Sequence, residues 1–156
     1  MAAPVMGGQD GPSFAIGAAM RIAITLALAL FAAPALAAEL TMYKNPSCGC
    51  CQGWAEYMQG QGWKTKIIDV DEIEQIKRRY NVPARMESCH TALIDGYVVE
   101  GHVPVAAIDK LLKERPRATG LAAPGMPQGS PGMSGTPEPF VVYLFGPDGA
   151  TPFMRF

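Results

Sequence analysis

The amino-acid sequence predicts an α/β fold with the order β-α-β-α-β-β-α, followed by a Gly/Pro/Met-rich loop and a C-terminal β-hairpin. Three observations predict it. Short strand-like stretches alternate with helical patterns between Glu39 and Asn81. Two apolar runs in "HTALIDGYVVEGH" flank Asp95-Gly96, the strongest short-range hairpin signal. Two further apolar runs, Phe140 to Phe145 and about Ala150 to Phe156, flank a Pro-Asp-Gly turn.

Taken in order, "ELTMY" from Glu39 to Tyr43 alternates and reads as a short strand that runs into the turn "KNPS". Ser47 is positioned to cap a helix that begins around Cys48 to Cys51 and ends near Gln61, with Gly62 as its stop. "WKTKIIDV", Trp63 to Val70, reads as a second strand. "DEIEQIKRRYN" reads as an amphipathic helix with acidic residues at its start and Ile73, Ile76 and Tyr80 on one face. After the Asp95-Gly96 hairpin, "VPVAAIDKLLKERP" reads as a last helix, with Pro104 near its first turn and Pro116 beyond its end. Residues 117–139, rich in Gly, Pro, Ser and Met and without period, read as a loop. Residues 140–156 read as a hairpin packed on the domain, because their aromatics are too many to leave in water.

The chain has 156 residues, which suits one domain with appended irregular segments. Its formal charge is −1, and no run of like charge suits a nucleic-acid arm or a membrane-binding patch. The N-terminal part carries a different signal. From Met20, a basic residue (Arg21), an apolar run from Ile22 to Ala33 and the pattern Ala35-Leu36-Ala37 have the grammar of a cleaved secretory signal. The apolar run is too short to span a bilayer comfortably. The mature protein, residues 38–156, is therefore expected to be exported and to start near Ala38, with residues 1–37 as leader and signal peptide. The first 19 residues sit awkwardly before such a signal, so Met20 is a candidate start, and an uncleaved N-terminal anchor is the alternative.

Export takes the four cysteines out of the reducing cytosol. Three of them, Cys48, Cys50 and Cys51, fall within four positions of "KNPSCGCCQGW", and the fourth is Cys89. Adjacent Cys50 and Cys51 pair with each other only through a strained ring. If Cys48 pairs with Cys51 across one turn, Cys50 is left for Cys89. So small a loop constrains the unfolded chain little, which gives a purely structural pair of disulfides weak motivation.

Cys48 and Cys51 also form a Cys-x-x-Cys at a strand-to-helix junction, the location of the dithiol in thioredoxin-like proteins, whose element order this is. A thiol at a helix N-terminus feels the positive end of the macrodipole, which favours thiolate. That suits a nucleophile or a metal ligand alike. The third cysteine argues for metal, because an intervening thiol would scramble a redox dithiol. Thioredoxin-like proteins carry a cis-proline at the start of the strand facing the dithiol. Laying "HTALIDG" on that strand puts His90 there, with Cys89 just before it, and both turn towards the cysteine turn.

His102, in "VVEGHVP", is the only other histidine, and reads equally as a ligand or as a satisfied buried residue. Thiolate with imidazole suits Zn(II), Cu(I) or an iron-sulfur cluster. A zinc ribbon would show a second Cys-x-x-Cys, and the spacing fails the usual iron-sulfur runs. An exported Cys/His/Met set favours Cu(I). Met126 in "PGMP" and Met133 in "PGMS" offer thioethers to the same metal, or fold down as a plug over apolar surface.

The strings "YKNPSCGCC", "SCHTALIDGYVVEGHVP", "PGMPQGSPGM" and "YLF" resemble the periplasmic copper-resistance proteins of the CopG type, long described only as a domain of unknown function. The likeness runs from about Glu39 to Phe156. It implies a thioredoxin-like fold, export to the periplasm, a multinuclear Cu(I) cluster and a role in copper tolerance, with interconversion of Cu(I) and Cu(II) as a further option. By motif, Cys48, Cys50, Cys51 and Cys89 would be ligands, with His90 and His102 as neighbours or ligands. The functional expectation is a copper-binding protein, with other periplasmic copper-handling proteins as partners. A thiol-disulfide or copper-cycling oxidoreductase is the alternative, and a zinc- or disulfide-stabilised interaction domain is a third.

Overall fold

A computed structural model describes residues 39–156. The expected signal peptide, its cleavage site and the Met20 start lie outside the described residues.

Seven strands form one sheet in the order β2-β1-β3-β4-β5-β6-β7. β1 (Glu39–Lys44) leads into α1 (Gly49–Gly60), and β2 (Lys64–Asp69) returns parallel to β1. α2 (Ile73–Arg79) and a 3-10 turn (Ala84–Met86) lead to β3 (His90–Ile94), antiparallel to β1, and then to β4 (Tyr97–Glu100). α3 (Val105–Glu114) is followed by β5 (Gly120–Ala122), β6 (Val141–Gly146) and β7 (Gly149–Arg155). The expected β-α-β-α-β-β-α order and the C-terminal hairpin are both present.

The β3–β4 connection is the two-residue turn that Asp95-Gly96 implied: φ is 48° at Asp95 and 85° at Gly96. Both angles are the left-handed values that match the twist of the flanking strands.

Two expectations need correction. Ser47 does not cap α1. The N-cap is Cys48, whose side chain makes no capping bond. Ser47 instead gives both its N–H (3.0 Å) and its hydroxyl (2.6 Å) to Asn45 Oδ1, because an Asn two residues upstream captures both locally. On α2, the expected face of Ile73, Ile76 and Tyr80 is present and half-buried, and beside it Lys77 is buried and meets a carboxylate under the sheet. Residues 117–139 are not loop throughout. Gly120–Ala122 form β5, parallel to β4 and antiparallel to β6, so the C-terminal hairpin extends the main sheet. Three small buried residues show no period from which a strand is legible.

Alternation along the strands sorts two cores onto the two faces. Val99 and Leu121 join Leu40, Met42, Trp54, Met58, Ile108 and Leu111, so α1 and α3 cover one face. Their strand neighbours Val98 and Ala122 join Val82, Met86 and Phe145 on the other. No described helix is long and apolar enough to cross a membrane.

Candidate metal centre

The site lies where β1 ends and β3 begins, since Lys44 and His90 are register partners. Lys44, almost fully buried, holds the turn between β1 and α1. Its ammonium donates to the carbonyls of Asn45 (3.2 Å) and Pro46 (3.3 Å) and pairs with Asp69 at 2.9 Å. The Cys48 N–H then closes the turn on the Asn45 carbonyl at 3.0 Å, and the chain enters α1 carrying Cys50 and Cys51 in its first turn.

Cys48 and Cys51 are joined as a disulfide, while Cys50 and Cys89 are free. The Cys50 sulfur is 3.5 Å from that of Cys48 and 3.9 Å from that of Cys89. Cys51 Sγ lies 3.6 Å from the Cys89 carbonyl oxygen. All four sulfurs lie within 4.8 Å of one another.

Cys89 also belongs to a second group. Its sulfur and one ring nitrogen each from His90 and His102 lie within 4.8 Å of one another. His102 Nε2 approaches Cys89 Sγ at 2.9 Å, and its Nδ1 donates to the Pro131 carbonyl at 2.7 Å. That carbonyl assigns the Nδ1–H tautomer and turns the Nε2 lone pair towards the thiol, the way an outer partner orients a metal-binding imidazole. His90 is fully buried beside the Trp54 ring, 4.6 Å between centroids, and its Nε2 has no hydrogen-bond partner. A buried polar nitrogen without a partner is costly unless something else satisfies it, and a cation would.

Burial favours neutral forms here. Desolvation, then the His102 and Lys77 charges, hold His90 well below its ordinary value. Burial also lowers His102, against the pull of the Pro131 carbonyl. Desolvation first, and the Cys50 sulfur second, push the Cys89 thiol up to about 11. Burial thus favours unprotonated imidazoles, ready to ligate, and a Cys89 thiol that keeps its proton near neutral pH until a metal displaces it. This donor set, thiol sulfur with neutral imidazole, fits a soft ion such as Cu(I).

The structure thus brings together Cys48, Cys50, Cys51, Cys89, His90 and His102. The long loop reaches the site through backbone groups: Pro131 on His102, and Gly125, whose N–H donates to the Glu87 carbonyl at 3.2 Å and whose carbonyl accepts from Ser88 Oγ. Met126, next to Gly125, is 57% exposed, and Met133 is half-buried.

Sequence reasoning missed the polar network behind Cys89. Glu100, fully buried on β4, accepts from Lys77, from Thr91 Oγ1 at 2.6 Å and from the Ser88 N–H at 2.7 Å. The only signal was an acid ending the apolar run "YVVE".

A family model described as "Protein of unknown function, DUF411" matches residues 86–133. No curated protein matches the chain. Two solved structures of the copper resistance protein CopG, Form 2 and Form 1, are each 37% identical to it and cover 76% of it. The matches span 98% and 96% of those chains, with TM-scores of 0.72 and 0.71. By sequence and fold together, this chain belongs to the CopG-type copper-resistance family.

Proposed function

We propose that this protein is an exported, periplasmic copper-binding protein that holds several Cu(I) ions as a thiolate cluster on Cys48, Cys50, Cys51 and Cys89. The observation that carries this reading is the packing of four sulfurs within 4.8 Å of one another. Such thiolates can bridge soft ions, and a chain with so few donors fills several Cu(I) sites only by sharing them. His90 and His102 extend the site on the Cys89 side, and their imidazoles suit copper in either oxidation state. Met126 and Met133 on the loop are the outermost thioether donors of this proposal, and Met126, 57% exposed, stands outside the packed group. The β2-β1-β3-β4 order with α1 leaving β1 supports a thioredoxin-like scaffold for this site. Exchange partners would be other periplasmic copper-handling proteins.

The Cys48–Cys51 disulfide must be reduced before both sulfurs take metal, since a disulfide sulfur is no longer a thiolate. The test is anaerobic Cu(I) titration of reduced protein starting at Ala38, against a competing chelator, with elemental analysis. The expected result is tight binding of more than one copper per chain, with stoichiometry lost in Cys50→Ser. Full stoichiometry in Cys50→Ser would overturn the cluster.

The same disulfide favours a second reading, a thiol-disulfide or copper-cycling oxidoreductase. A dithiol enzyme would reduce insulin disulfides, tolerate Cys50→Ser and fail in Cys48→Ser.

A further inference from the structure

Glu100 and Lys77 form a buried ion pair, 0% and 3% exposed. Such a pair is weak support for stability, because desolvating two charges offsets most of their attraction, and well-packed apolar replacements are often neutral or stabilising. Its position shows what else the carboxylate does. One oxygen takes the Thr91 hydroxyl at 2.6 Å from the facing strand. The other takes the N–H of Ser88 at 2.7 Å. Ser88 precedes β3 and immediately precedes Cys89, the one residue common to the four-sulfur group and the Cys89-His90-His102 group.

The residues around Glu100 hold the same segment. The Gly101 N–H donates to the His90 carbonyl at 2.9 Å, and the Ala123 N–H to the Glu100 carbonyl at 3.0 Å. Gly101 (φ +74°) leaves room for Ser88: a Cβ there would sit 2.4 Å from Ser88 Oγ and 2.8 Å from the Ala123 carbonyl oxygen. His102 follows and meets the Cys89 sulfur directly. Glu100-Gly101-His102 therefore forms a cradle for Ser88-Cys89: a carboxylate under the backbone, a gap for the serine side chain and an imidazole against the thiol.

We propose that Glu100 is a positioning residue for the copper site, which fixes the Cys89 sulfur against Cys50 and His102 by accepting the Ser88 N–H, and that Lys77 serves to neutralise it. This rests on the copper reading above. An apolar pair could fill the same space, but it could not hold that N–H. What the site needs from position 100 is an oxygen acceptor.

The test compares two double variants with the wild type. Lys77→Met with Glu100→Leu removes the charges and the acceptor. Lys77→Met with Glu100→Gln removes the charges but keeps a carbonyl oxygen. Both should fold. In the Leu variant, Cu(I) affinity in chelator competition should fall by about 10- to 100-fold, the range found when an outer partner of a metal ligand is lost. In the reduced, copper-free Leu protein, Cys89 should also be alkylated by iodoacetamide faster relative to Cys50 than in wild type. The Gln variant should recover most of the affinity and the wild-type alkylation pattern, a rescue that a role confined to stability would not give. Wild-type behaviour in the Leu variant would overturn the proposal, as would a Gln variant as impaired as the Leu one. If the wild type binds no copper, the copper reading fails while the alkylation pattern still decides the positioning. If the Leu variant does not fold, hydrogen exchange at the wild-type Ser88 amide decides instead: slow exchange supports the bond to Glu100, and exchange at the rate of an open loop refutes it.

Discussion

Trp54 and His90 carry opposite kinds of information about the same pocket. Trp54 is fully buried, donates Nε1–H to the Val103 carbonyl at 2.9 Å and packs its ring against His90 at a tilt of 42°. Replacing it by Phe shortens the ring and leaves that carbonyl without its donor. The expected loss is about 1–3 kcal/mol, read by chemical denaturation of the copper-free protein. His90 is kept neutral in the fold by burial, His102 and Lys77. An unfolded histidine titrates near 6.5, so below that pH the unfolded chain takes up a proton that the folded one refuses. Stability is therefore full above about pH 6.5 and falls as the pH drops, by up to about 1.4 kcal/mol per unit from this residue. His102, lowered in the same direction, adds to the slope. The unfolding midpoint of the copper-free protein should drop between pH 7.5 and 5.5, and His90→Gln should flatten the profile. An equally steep profile in that variant would assign the slope to other groups.

Among the elements, the contact between the long loop and α1 is open to disruption by a single substitution. Gly132 has φ +82°, and a Cβ there would lie 2.3 Å from the Trp54 backbone nitrogen. Gly132→Ala must push the loop off the helix, and with it the neighbouring Pro131 carbonyl that orients His102. The expected effect is a loss of about 1–3 kcal/mol, from backbone strain and the broken seat, and faster proteolysis between residues 124 and 140. Intact resistance to protease would show that the loop has another anchor. At this scale the sequence was legible where signals are local. Asp95-Gly96 named its hairpin, and Pro104 and Pro116 bracketed α3. It was illegible where the partner is distant. Lys77 on α2 looks like a solvated charge until Glu100, 23 residues on, is placed beneath it, and β5 is a strand only because β4 and β6 flank it.

For the molecule as a whole, β5 makes the sheet continuous, so the C-terminal hairpin shares in both cores, through Val142 on one face and Phe145 on the other. Phe145, 1% exposed on β6, packs with Val82, Met86, Val98 and Ala122. Deleting residues 140–156 should destabilise the protein by more than the roughly 3–5 kcal/mol typical of losing one buried aromatic. Thermal melting and solubility of the truncated protein would check this, and an unchanged melting temperature would make the hairpin an appendage. By itself, the sequence determined the order of strands and helices apart from β5, the cysteine turn at the head of α1 and the kind of ligand chemistry those residues favour. Periodicity, turn residues and helix ends act over a few positions, and so they can be read along the chain. Only the tertiary structure decided which sulfurs and nitrogens meet. Cys50 and Cys89 are 39 positions apart, and His102 and the carbonyl that orients it are 29 apart. Closing such loops depends on burying both faces of one sheet, a property of the folded whole that no local stretch encodes.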